Sequence, residues 1–293
     1  MVCGECQRIE DDIYRVGPYH EMRPVYEQEQ RDHDSLADSL IQLGHRKIFK
    51  CSGKAFDNPD GTTIDVMLTT DAAGSSGFTR LPHKPFYSAE ERPLREYLLK
   101  LHTEFTMVHG HAAFASVSLK DLEVGGPNMV FDAICRSLFL TLERSPNVKQ
   151  FGTIYVGMDN TFSSNKNWTL FQGLACLVAL GIAQKVKIIF RIVGHTKNEV
   201  DQLAGIVSNQ ITPNTYLTPQ AWLQGLQDAI QNGDPSYTVA KADFNTLAPD
   251  YDAAFKAAFG QRKIAGIGRI QVARFTCHRT EDKATLFYQA DPR

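Results

Sequence analysis

The sequence lacks the long hydrophobic runs that mark membrane and secreted proteins. Its longest apolar stretch, Leu174 to Ile182, is far short of the ~20 residues that cross a bilayer. Met1 leads into Cys3, Glu5 and Cys6 with no charged-then-apolar leader, so the expectation is an intracellular chain. Cysteine is sparse. The six, at 3, 6, 51, 135, 176 and 277, are scattered, which excludes a secreted disulfide framework. Cys135 and Cys176 sit in apolar helical patterns, where a thiol behaves as a small buried hydrophobe. Cys3 and Cys6 have zinc-ligand spacing, but His20 and His33 lie too far off and too irregularly to complete a four-ligand site. Also missing are a P-loop, a dinucleotide-binding glycine fingerprint and a Gly-x-Ser-x-Gly elbow. A haloacid-type phosphatase motif could end at Asp159 and Thr161, but Gly157 stands where its nucleophile would have to be.

Charge of either sign is close to balanced, with a net of −2 over 293 residues, so the whole chain makes no case for nucleic acid. The distribution is uneven, however. From Arg262 to Arg293 seven Lys and Arg face three acids, which is +4 and leaves −6 for the rest. Such a tail can supply phosphate contacts through Arg269, Arg274 and Arg279, and it reads equally as a solvated surface. With 43% hydrophobic and 22% charged residues, the composition is that of a globular protein of one large or two ordinary domains.

Taken in order, residues 1–18 are polar without a clear period. Residues 19–43 predict one or two exposed helices broken near Pro24. Thr62 to Thr70 alternates as a strand, with Ile64, Val66 and Leu68 on one face and Asp65, Met67, Thr69 and Asp71 on the other. A helix is expected over 89–100, two strands bending at Gly110 over 105–119, and a helix from Asn128 with that residue as its cap. A strand over 151–158, a helix over 165–181, a strand over 186–193 and a helix over 196–210 follow, the last with Thr196 and Glu199 as a capping box. Helices near 219–231 and 251–259 and extended residues over 264–288 complete the chain.

The order βββαβαβα predicts an α/β fold: an RNase H-like mixed five-stranded sheet with helices on both faces. That divides the chain into an N-terminal helical extension (1–60), a core (61–211) and a C-terminal α/β appendage (212–293).

Met158-Asp159-Asn160, Asn165-Lys166-Asn167 and Gly194-His195-Thr196 followed by Asp201-Gln202 resemble a transposon-derived RNase H-like family related to DDE transposases and integrases. Asp71-x-x-Gly74, Leu81-Pro82-His83-Lys84 and His109-Gly110-His111 extend the resemblance, collinear from about residue 20 to 210. The chain departs from the family's pattern at Lys197 and at Ala72-Ala73. The resemblance implies phosphoryl transfer on DNA, or RNA, by two Mg²⁺ or Mn²⁺ ions held on Asp71, Asp159 and Asp201. Hard cations want converging carboxylates. Asn160, Asn167, His195 and Glu199 would support the site, and Lys166 and Lys197 would join the three arginines on the nucleic acid.

Bland alternatives stand beside each assignment. Asp65 competes with Asp71 but lies roughly 20 Å away along an extended strand. Glu199 competes with Asp201 from a position about 200° around the helix. Asp201 also reads as a first-turn acid in the helix dipole field, and Asp159-Asn160 as a polar strand exit. Asn165 and Asn167 read either as hydrogen-bond partners of the acid cluster or substrate or as helix caps, with Asn165 the favoured cap. The resemblance implies a nuclear location and no membrane partner, leaves homo-oligomerisation open, and carries as its alternative a domesticated core that binds nucleic acid or protein without cutting.

Overall fold

The computed structural model describes residues 4–16, 18, 20–52, 62–72, 79–86, 88, 90, 98–119, 126–159, 165–190, 199–233, 239–244, 248–260, 274–280 and 283–289. Among them, the alternating segment TIDVMLTTDA forms strand β1 (Thr63–Ala72), and every other strand of the main sheet is placed by reference to it. A hairpin of β3 (Leu99–Val108) and β4 (Ala112–Leu119) turns at Gly110, whose φ of 78° is easy for glycine. β3 pairs antiparallel with β1 on one side. On the other side β5 (Gln150–Met158) runs parallel to β1, and β6 (Ala183–Phe190) runs parallel to β5.

The five core strands therefore lie in the order β4-β3-β1-β5-β6, antiparallel up to β1 and parallel beyond it. Parallel neighbours need a crossover, and helices α3 (Pro127–Glu143) and α4 (Trp168–Ala179) supply them. Both pack on one face against Ile64, Val66 and Leu68 of β1 and the even-numbered residues from Ile154 to Met158 and Val186 to Phe190. The opposite face is covered in two halves. α5 (Glu199–Ile211) and α6 (Pro219–Gly233) bury Val200, Leu203, Val207, Trp222 and Leu226 against Phe105 and Met107 of β3 and Ala113 and Ala115 of β4. The long α2 (Arg23–Ser52) covers β1, β5 and β6 through Cys51 on Met67 and Tyr155, and Ala37 on Ile189.

The mixed α/β class, with helices on both faces, agrees with the sequence. The five-stranded count does not. Two tail segments join the sheet: β7 (Val239–Phe244) pairs parallel with β4 at one edge, and the hairpin of β8 (Arg274–Thr280) and β9 (Lys283–Gln289) continues it beyond β6. A two-residue β2 (Arg80–Leu81) pairs with β3. Several local expectations are also corrected. Residues 4–16 form a helix, α1 (Gly4–Val16), and Pro24 opens α2 instead of breaking it, because a helix's first turn needs no N–H from proline. Leu99 and Lys100 begin β3, not the end of a helix; most of the expected 89–100 helix lies outside the described residues. Asn128 does not cap α3. Its side chain receives the Asp252 N–H and donates to Asp250, fastening α7 (Tyr251–Phe259) over α3.

Two glycines on helices separate a packing role from a neutral one. A Cβ at Gly173 of α4 would stand 2.6 Å from the Phe131 ring, whereas one at Gly205 of α5 would meet nothing within 4 Å. Gly173→Ala is expected to destabilise the protein by about 1–3 kcal/mol through overpacking. Gly205→Ala should stabilise it by about 0.5–1 kcal/mol by restricting the unfolded chain. Urea unfolding of the two variants beside the parent checks both signs.

Candidate acidic site at the carboxyl edge of the sheet

β1 and β5 are parallel, with Met67 opposite Tyr155 and Thr69 opposite Gly157. Continuing that register by two residues sets Asp71 beside Asp159 at the carboxyl ends of adjacent strands. Strands hydrogen-bonded in this way lie about 4.8 Å apart. Both acids follow the odd-numbered positions, so they share the face covered by α2 and α5, not the face under α3 and α4. Each is partly buried. The carboxyl edge of an open α/β sheet is where loops leave the strands and sites are commonly built.

Asp65, the competing acid, is used elsewhere. The β1–β5 register slips between Ile64 and Val66, which frees the Thr153 N–H from the ladder, and the Asp65 carboxylate accepts it at 2.6 Å. An irregular strand thus satisfies its own orphaned donor. One row below Asp71 and Asp159, Thr69 Oγ1 lies 2.9 Å from Nε2 of His109, which is buried. In the sequence His109 stands out only as part of the His109-Gly110-His111 turn. Its burial depends on a cross-strand partner 40 residues away, which no local pattern reveals.

Residues 165–167 each have a defined partner. Asn165, 5% exposed, donates its amide to the Asp159 carboxylate and, at 3.4 Å, to the Asp159 carbonyl. Asn165 is therefore not a helix cap. That role belongs to Asn167, whose side chain accepts the Leu170 N–H at 2.9 Å at the start of α4. Lys166 is only 4% exposed, and its ammonium lies 5.3 Å from the centre of the Phe190 ring. Such a lysine is not presented on the surface to a phosphate. Burial pulls its pKa down to about 8.

On α5 the two first-turn acids diverge. Glu199 is half-buried and reaches Nε2 of His45 on α2 at 3.4 Å, so it turns toward the helix that covers β1 and β5. Asp201 is exposed. Asn160, His195, Lys197 and Arg269 lie outside the described residues, as does the Thr196 end of the capping box. Arg274 and Arg279 are in β8, where Arg274 is in register with Ile189 of β6. Two carboxylates at one strand edge suit a hard cation. A complete ligand set is not assembled, however: no group of three His, Cys, Asp or Glu that could hold a metal ion occurs among the described residues. None of the described helices is long and apolar enough to cross a membrane.

A family model described as "Domain of unknown function (DUF7869)" matches residues 94–291, and the chain belongs to that family. No curated protein and no solved structure matches it. The matched span begins after β1, although β1 joins β3 to β5 and its Val66, Met67 and Leu68 are at most 1% exposed.

A fragment of residues 94–293 should fail to fold, while one starting ahead of β1, at residue 20, should give a cooperative unfolding transition. Circular dichroism and dispersion of amide NMR signals separate the outcomes. Below about pH 8 both folded and unfolded chains carry the Lys166 charge, and its burial cost is present in full. Between about 8 and the ordinary 10.5 the unfolded chain holds the proton more tightly, so stability should rise with pH across that window. Lys166→Met should flatten this rise, an effect bounded at on the order of 3 kcal/mol, measurable as the pH dependence of urea midpoints.

Proposed function

We propose that this DUF7869 chain is a metal-dependent phosphoryl-transfer domain of the RNase H-like kind, acting on DNA in the manner of a transposase or nuclease. The observation that carries the reading is the β1–β5 register, which ends at Thr69 opposite Gly157 and, continued by two residues, sets Asp71 beside Asp159 at the carboxyl edge. Chain order supports it as well: β1, β3, β4, α3, β5, α4, β6 and α5 run as βββαβαβα. The reading needs one acid on the first core strand, one at the end of the fourth and one on the last core helix, and Asp71, Asp159 and the first turn of α5 stand in those places.

Asp71 and Asp159 would be the main ligands, with Asp201 the third and Glu199 its rival from the α2-facing flank. Divalent ions bound there would activate the attacking water or 3′-hydroxyl and neutralise the leaving oxygen. The protein's own contribution is to hold two carboxylates side by side on rigid strands before any ligand arrives, so that little reorganisation remains. Arg269, Arg274 and Arg279 of the basic tail, with Lys197, would hold the nucleic-acid backbone. Work on DNA would place the chain in the nucleus.

A second reading comes from a different class: a domesticated core that binds nucleic acid or protein and does not cut. The exposure of Asp201 and the lack of a three-ligand group among the described residues favour it.

Asp159→Asn should abolish Mn²⁺-dependent cleavage of plasmid or oligonucleotide DNA while leaving the circular-dichroism spectrum unchanged. Cleavage at the parent rate in that variant would remove the enzymatic reading. Salt-sensitive DNA binding without cleavage, in parent and variant alike, would select the second one.

A further inference from the structure

We propose that Asn165 is a positioning residue for Asp159, with Lys166 and Asn167 as the anchors that hold it there. The inference rests on the phosphoryl-transfer reading above and names residues of that same site. A carboxylate at a strand exit can turn about two side-chain torsions, so a fixed orientation has to be imposed from outside. Asn165 imposes it by donating to both the side chain and the carbonyl of Asp159. An amide suits the task because it supplies a donor without neutralising the charge that a cation would need.

The two residues that follow Asn165 anchor it. Lys166 buries its ammonium against Phe190. Phe190 ends β6 and is in register with Met158, the residue before Asp159. Asn167 caps α4, and losing such a cap costs about 1 kcal/mol. Moving Asn165 away from Asp159 would therefore disturb a cap and expose a buried side chain. The three residues tie the ends of two neighbouring parallel strands to the start of the helix that connects them. Asn165 and Lys166 are both strongly buried, at 5% and 4% exposure, and both flank this edge.

The test uses the full chain, Mn²⁺ alone as probe, and four variants: Asn165→Ala, Asn165→Asp, Asp159→Asn and the exchanged pair Asp159→Asn with Asn165→Asp. Asn165→Ala should weaken Mn²⁺ binding about tenfold with the fold retained. Asn165→Asp puts two carboxylates in contact, so it should lower the metal-free melting temperature, and Mn²⁺ should restore it by a larger increment than the parent shows. The exchanged pair recreates the amide–carboxylate bond with its direction reversed. It should recover metal-free stability but bind Mn²⁺ at least tenfold more weakly than the parent. Parent-like Mn²⁺ affinity in Asn165→Ala, together with no recovery in the exchanged pair, would overturn the positioning role and leave the phosphoryl-transfer reading standing. Absence of Mn²⁺ binding in the parent, unchanged in Asp159→Asn, would overturn that reading and the positioning role with it.

Discussion

The two-sided pairing of β1 is the constraint on which the rest of the molecule depends. On one side β1 accepts the antiparallel β3–β4 hairpin, and on the other the parallel β5. The change of sense at a single strand forces the chain to cross over twice through α3 and α4, which fill one face of the sheet. It also leaves the carboxyl ends of β1 and β5 at the same edge. Because the side-chain period of a strand is two, the register that buries Val66 and Leu68 under α3 and α4 sends Asp71 to the other face. The position of the acid is thus a by-product of how the core is packed.

That second face is shared between helices from both ends of the chain. α2 comes from the N-terminal extension and α5 and α6 follow the core strands, yet all three cover one continuous surface. The exposed His45 of α2 meets the half-buried Glu199 of α5 near the surface, and such pairs contribute at most about 1 kcal/mol. The apolar contacts carry the packing. Trp222, Phe105 and Met67, all fully or almost fully buried, each contribute on the order of 2–3 kcal/mol on burial. What the extension adds to the site is a wall beside it.

Much of this was legible in the sequence, for identifiable reasons. TTIDVMLTT alternates because Ile64, Val66 and Leu68 share one face, and that alternation put Asp65 and Asp71 together on the other, where the resemblance favoured Asp71. The apolar blocks of β5, α4 and β6 are long and bounded by turns, so their order could be read without knowing their contacts. The hairpin at Gly110 needed a glycine, and the sequence has one there. Other features depended on partners distant in the chain. The six residues of β7 acquire strand character only from β4. Asn128 and Asn165 each look like helix caps locally, but α7 claims the first and Asp159 the second. A capping residue is recognised by spacing alone, and spacing cannot say which donor or acceptor reaches it first. Lys166 illustrates the same limit: a lone lysine between two asparagines reads as a surface charge until Phe190, from another strand, is brought over it.

The most direct test of the account is a Mn²⁺ titration, followed by electron paramagnetic resonance, of the parent and of Asp71→Asn, Asp65→Asn, Glu199→Gln and Asp201→Asn. If the β1–β5 register builds the site, the parent binds Mn²⁺, Asp71→Asn loses at least tenfold in affinity, and Asp65→Asn, whose carboxylate serves the strand irregularity, binds as the parent does. Whichever of the two α5 variants weakens binding identifies the third ligand. Equal affinities in Asp71→Asn and the parent would contradict the account.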